Sequence, residues 1–163
     1  MRTVIAIAMT LASVPVLAEH EHDGRQPVDL PPAYTAECGS CHVAFPPGLL
    51  SADDWRRVLS GLDKHYGDDA TLDAATRARV ESFVTTNAGG DRRTAGAGKP
   101  PRITATTWFK REHDEVPSAT WRDARVKSAA NCSACHTRAD RGSYRERDIM
   151  MPGGQRRRHE EDR

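Results

Sequence analysis

The sequence predicts an all-α, loop-rich protein divided into two small halves. Three observations carry this prediction: apolar residues recur at helical spacing, no segment alternates as a strand would, and one short cysteine motif occurs twice, about 90 residues apart.

Residues 1–18 read as a secretory signal peptide. Met1-Arg2 precedes a largely apolar run over residues 4–17, and Ala18 follows with Val16 two positions before it. A charged start, an apolar stretch and a small residue at its end predict cleavage after Ala18. The run is shorter than the roughly 20 apolar residues that span a bilayer, and Thr10, Ser13 and Pro15 interrupt it, so a membrane anchor is the weaker reading. No second apolar stretch exists, so no stable membrane insertion is expected. The mature chain of about 145 residues is placed in the periplasm.

Residues 19–31 open with Glu19-His20-Glu21-His22-Asp23-Gly24 and read as a flexible N-terminus. Pro31-Pro32 sets the start of a first short helix across the first cysteine motif, and Pro46-Pro47-Gly48 closes it. Ser51, with Asp54 three residues on, caps a second helix. Its Trp55, Val58, Leu59 and Leu62 recur at i, i+3, i+4 and i+7, and it ends between Gly61 and Gly67. A third helix places Leu72, Thr76, Val80, Phe83, Val84 and Asn87 on one face, with Gly89-Gly90 as its stop. The Gly-, Ala-, Arg- and Pro-rich stretch that follows reads as a linker, set at residues 91–101. Residues 106–114 form a short helix with Trp108, Phe109 and His113 on one side, and residues 131–138 are expected to be helical across the second motif. Residues 151–163, with Arg156-Arg157-Arg158 followed by Glu160, Glu161 and Asp162, read as a flexible charged tail.

Only 37% of the residues are hydrophobic and 29% are charged. A short chain this polar buries little apolar surface and needs a staple or a large prosthetic group. Without Arg2 the chain carries 23 basic and 23 acidic side chains, which gives no reason to expect a nucleic-acid partner.

The cysteines supply the prosthetic group. All four lie in Cys38-Gly39-Ser40-Cys41-His42 and Cys132-Ser133-Ala134-Cys135-His136. C-x-x-C-H is the attachment site of c-type haem: two thiols on one turn add to the porphyrin vinyl groups, and the following His binds the iron as proximal ligand. Two disulfides, a zinc ribbon or a redox dithiol are the competing readings. A ribbon needs its pairs within about 20 residues. None of the three explains a His after both motifs. Two covalently bound c-type haems are therefore expected, one in a domain at residues 32–90 and one in a domain at residues 102–150, with the haems forming much of the core.

A low-spin carrier needs a second axial ligand on each iron, His or Met. Past the signal peptide the methionines are Met150 and Met151, and the interior histidines outside the motifs are His65 and His113. His65 lies 23 residues after His42, where a turn can fold it back over haem one; His113 lies 19 residues before Cys132, beside two aromatics. The expected pairs are His42 with His65 and His136 with His113. Met151, which precedes Pro152 and lies 15 residues after His136, is the rival for haem two. Ligation crossed between the halves also stays open.

The sequence resembles the small bacterial dihaem cytochrome c family. The resemblance runs from about residue 32 to 149 and rests on an ordered set of residues: Glu37 through His42 with Phe45-Pro46-Pro47-Gly48-Leu49-Leu50 behind it, Trp55, His65-Tyr66-Gly67, Asn87-Ala88, Trp108-Phe109 with Glu112-His113, and Ala130 through His136. It implies a two-domain electron-transfer protein with bis-histidine haems, the first half cytochrome c-like and the second less regular. It also implies His65 and His113 as distal ligands, and as partners a membrane b-type cytochrome and a soluble, oxygen-binding monohaem cytochrome c.

The function expected is one-electron transfer in the periplasm, with no catalytic residues. The alternatives are a dihaem peroxidase-like enzyme and a haem-based ligand sensor. Both need an open sixth position on an iron, and the peroxidase also needs distal acid/base groups, of which the sequence has no obvious set.

Overall fold

A computed structural model describes residues 29–154. The signal peptide, residues 19–28 of the N-terminal segment and residues 155–163 of the tail lie outside the described residues. Within them the chain is helical and loop-rich, with α-helices, single 3₁₀ turns and no strand.

α1 (Pro32–Cys38) begins where Pro32 presets a helical φ. It stops at the first cysteine of motif one instead of running through the motif. Gly39 is its C-cap and makes the last helical bond, its N–H donating to the Thr35 carbonyl at 2.9 Å. A Cβ at Gly39 would overlap that same carbonyl oxygen, so the chain can turn here only without a side chain.

α2 (Ala52–Ser60) starts at Ser51, whose Oγ accepts the Asp54 N–H and donates back to the Asp54 carboxylate at 2.7 Å. α3 (Ala74–Thr86) starts at Asp73, whose carboxylate accepts the N–H groups of Ala75 and Thr76. The two helices pack together. Trp55 and Leu59 of α2 meet Val80 and Val84 of α3, joined by Tyr34 of α1, Ala44 and Leu50. Val84 is 0% exposed. Tyr34 is tied in twice: its ring lies 5.1 Å from Phe83, and its hydroxyl donates to the Phe45 carbonyl at 2.6 Å.

The stretch expected as a linker is built more tightly than its composition suggests. It holds α4 (Asp91–Thr94), and Thr94 and Ala97 are each 4% exposed, with Ala97 part of the first half's core. Just before it, at the stop of α3, a small residue serves close backbone approach: the Gly89 N–H donates to the Leu50 carbonyl at 2.8 Å, and a Cβ on Gly89 would overlap the Gly48 carbonyl. Further on, the Tyr66 hydroxyl donates to the Pro101 carbonyl, and the Arg102 guanidinium lies 4.4 Å from the Tyr66 ring centre.

The second half has α5 (Thr107–Glu112), capped by Thr106 accepting the Phe109 N–H, and α6 (Ser118–Trp121). Its apolar burial is sparse, carried by Phe109, Val126 and Ala139. Motif two forms one 3₁₀ turn (Cys132–Ala134) and not the helix expected over 131–138. Bonds from a later segment take the place of helical ones: Thr137 N–H donates to the Asp148 carbonyl, Met150 N–H donates to the Cys135 carbonyl, and His136 bridges to Ile149.

Candidate haem-binding sites

Each C-x-x-C-H motif brings its histidine to a second one. In the first half the turn after α1 delivers His42, and the 3₁₀ turn Leu62–Lys64 after α2 delivers His65. Tyr66 (φ 52°) and Gly67 (φ 117°) then reverse the chain, and His65 bridges to Asp68. The two imidazole rings lie with centroids 6.3 Å apart and planes 25° apart. In the second half His113, at the C-terminal end of α5, meets His136 with centroids 6.2 Å apart and planes 73° apart.

This spacing is a test of fit. Imidazole nitrogen bonds a first-row metal at about 2 Å, so an iron held between two imidazoles sets their ring centroids roughly 6 Å apart. Both pairs have that separation. The tautomers also fit. His42 Nδ1 lies 2.8 Å from the Val43 carbonyl, and His113 Nδ1 lies 2.8 Å from the Phe109 carbonyl. A carbonyl only accepts, so Nδ1 carries the proton in each ring and Nε2 keeps its lone pair for a metal. Burial, followed by the neighbouring His42, lowers the His65 pKa against the opposing effect of Asp68, which keeps that ring in the neutral, ligating form.

The thiols do not have the character of a redox dithiol. None of the four cysteines is in a disulfide. Burial pushes Cys38 and Cys132 up to about 11 and raises Cys135. A redox dithiol needs a depressed thiol pKa, the opposite shift. No group of three or more His, Cys, Asp or Glu among the described residues is arranged to hold a bare metal ion.

Aromatic rings complete both sites, and sequence reasoning missed most of them. Phe45 stacks on His42 at 4.6 Å, and Phe109 stacks on His113 at 4.1 Å. Trp121 lies 5.9 Å from His113, and Tyr144 lies 5.1 Å from His136. Trp108, expected beside His113, instead lies under the Arg93 guanidinium at 4.0 Å. The available signal was the spacing of Phe109 and His113 by one helical turn, which does produce contact. Tyr144 is brought in by a loop and Trp121 by the one-turn helix α6, too short to carry a periodic signal. Met151 is half-buried, and the bond from Met150 to Cys135 keeps it near motif two. The ring paired with His136 is nevertheless that of His113.

Comparisons with known proteins agree with this geometry. The family model for dihaem cytochrome c matches residues 34–144. A dihaem cytochrome c of Shewanella baltica OS155 is 38% identical, with a TM-score of 0.68, over 78% of this chain and 98% of its own. Two structures from Rhodobacter sphaeroides are similar: one, described as DHC, is 40% identical (TM-score 0.61, 70% of this chain and 96% of its own), and one, a dihaem cytochrome c, is 38% identical (TM-score 0.64, 73% and 100%). No match is found among curated proteins. The chain therefore belongs to the dihaem cytochrome c family, electron-transfer cytochromes that carry two c-type haems.

Proposed function

We propose that the protein is a periplasmic one-electron carrier with two six-coordinate, bis-histidine haems. Cys38, Cys41, Cys132 and Cys135 form the thioethers; His42 and His65 bind one iron, and His136 and His113 the other. The observation that carries this reading is the pair of ring separations, 6.3 and 6.2 Å, each between a motif histidine and an interior one. Bound there, the haem iron supplies a one-electron ferric/ferrous couple.

The chain's own residues do the rest. The Val43 and Phe109 carbonyls hold the Nδ1 protons of His42 and His113, which orients the rings and raises their basicity. Two imidazoles favour the ferric state more than an imidazole and a thioether do, so both potentials should lie well below those of His/Met cytochromes. With both axial positions filled by protein, no site is left for peroxide or a gaseous ligand, which argues against the peroxidase and sensor readings. No helix among the described residues is long and apolar enough to cross a membrane. The proposed donor is a membrane-associated b-type cytochrome, and the proposed acceptor is a soluble, oxygen-binding monohaem cytochrome c.

A redox titration of the holoprotein, followed optically, tests the proposal. Two reversible one-electron steps at low potential, with no near-infrared band of methionine-ligated haem, are expected. A step in the range of His/Met cytochromes, lost in Met151→Leu, would assign Met151 to haem two in place of His113.

A further inference from the structure

The two histidine pairs have the same separation but different orientation. His42 and His65 lie 25° from coplanar, and His113 and His136 lie 73° from coplanar. In low-spin ferric haem each imidazole donates into the iron dπ orbital perpendicular to its ring. Aligned rings raise one dπ orbital over the other and fix the direction of the unpaired electron. Crossed rings raise both alike and leave them nearly degenerate.

We infer that Phe45 and Phe109 are positioning residues that set these ring planes, making haem one an ordinary rhombic low-spin centre and haem two a highly anisotropic one. This rests on the bis-histidine reading of the two sites. The means are the same on each side. Phe45 lies on His42 with 20° between the planes, and Phe109 lies on His113 with 20° between the planes. In each case a carbonyl fixes the ring's remaining rotation through Nδ1. The opposing rings are placed independently, His65 by its reverse turn and His136 by its bridge to Ile149. Stacking therefore leaves one pair nearly aligned and the other nearly crossed. The consequence for electron transfer is an asymmetry. Haem one directs its electron along one axis of the porphyrin, and haem two has no such preferred axis.

Low-temperature electron paramagnetic resonance of the ferric holoprotein tests this without any substitution. Two low-spin signals are expected in equal amount, one rhombic with three resolved features and one with a single steep low-field feature. Phe109→Leu should move only the steep signal toward the rhombic form, with the haem still low-spin, and Phe109→Tyr, which keeps the stack, should preserve it. Phe45→Leu should alter only the rhombic signal. Two like signals, or a steep signal that responds to Phe45→Leu and not to Phe109→Leu, would overturn the inference while leaving bis-histidine ligation in place. A near-infrared methionine band would instead remove the ligand reading on which it rests.

Discussion

His65 lies 6.3 Å, ring centre to ring centre, from His42, although 22 residues and the whole of α2 separate them in the chain. The capped helix and the reverse turn behind it act as an arm of fixed length that returns one imidazole to the other. His65→Ala should therefore convert one haem, and only one, to a high-spin form that binds carbon monoxide. His113→Ala should do the same to the other haem. If either variant keeps both haems low-spin, its histidine is not the sixth ligand.

Covalent loading follows from the two complete motifs. Mass spectrometry of denatured protein matured in a periplasm should give the polypeptide without residues 1–18 plus two haems. Cys132→Ala with Cys135→Ala should leave one covalent haem. A wild-type mass with a single haem, or with two disulfides and none, would contradict the assignment.

The first half has the larger core, and Val84 is its most enclosed side chain. Val84→Ala removes two methyl groups from between α2 and α3 and should lower the stability of the holoprotein by about 2 kcal/mol, measured by denaturant unfolding. An exposed change on the same helix, Arg77→Ala, should cost well under about 1 kcal/mol, because its ion pair with Glu81 is solvent-screened. Equal effects would mean that the α2–α3 contact does not hold this half together.

Asp73 gives a pH signature. Hydrogen bonds from Thr76 and then Ala75 hold its carboxyl below the usual range. A depressed folded-state pKa contributes stability that is present above the unfolded pKa and lost as pH falls through the folded one. Asp73→Asn keeps a capping oxygen but cannot titrate. Between about pH 5 and about pH 3 it should lose less stability than the wild type. Asp73→Ala should be less stable than both at neutral pH. Parallel wild-type and Asn curves would remove Asp73 from the acid response.

Much of this molecule was legible in the sequence because its strongest signals are local. The Ser51 cap with the Trp55 and Leu59 stripe reappears in α2, and the Thr76, Val80 and Val84 face is the buried face of α3. The spacing of Phe109 and His113 gave their contact. What could not be read depends on contacts between distant segments. Motif two is drawn out of a helix by residues 148–150, and Tyr144 from a loop and Trp121 from the end of the short α6 reach their histidines from distant parts of the chain. The Gly- and Ala-rich stretch reads as a tether because glycine and alanine mark both loose chain and close packing, and the burial of Thr94 and Ala97 is not legible in composition.

Bis-histidine ligation requires both irons to be closed to outside ligands by His65 and His113. Carbon monoxide added to the fully reduced holoprotein at neutral pH tests it most directly. The absorption spectrum should be unchanged, with both haems remaining six-coordinate and low-spin. Formation of a carbon monoxide adduct in up to half of the haem would mean that one iron has an open or weakly held sixth position, contrary to the bis-histidine carrier described here.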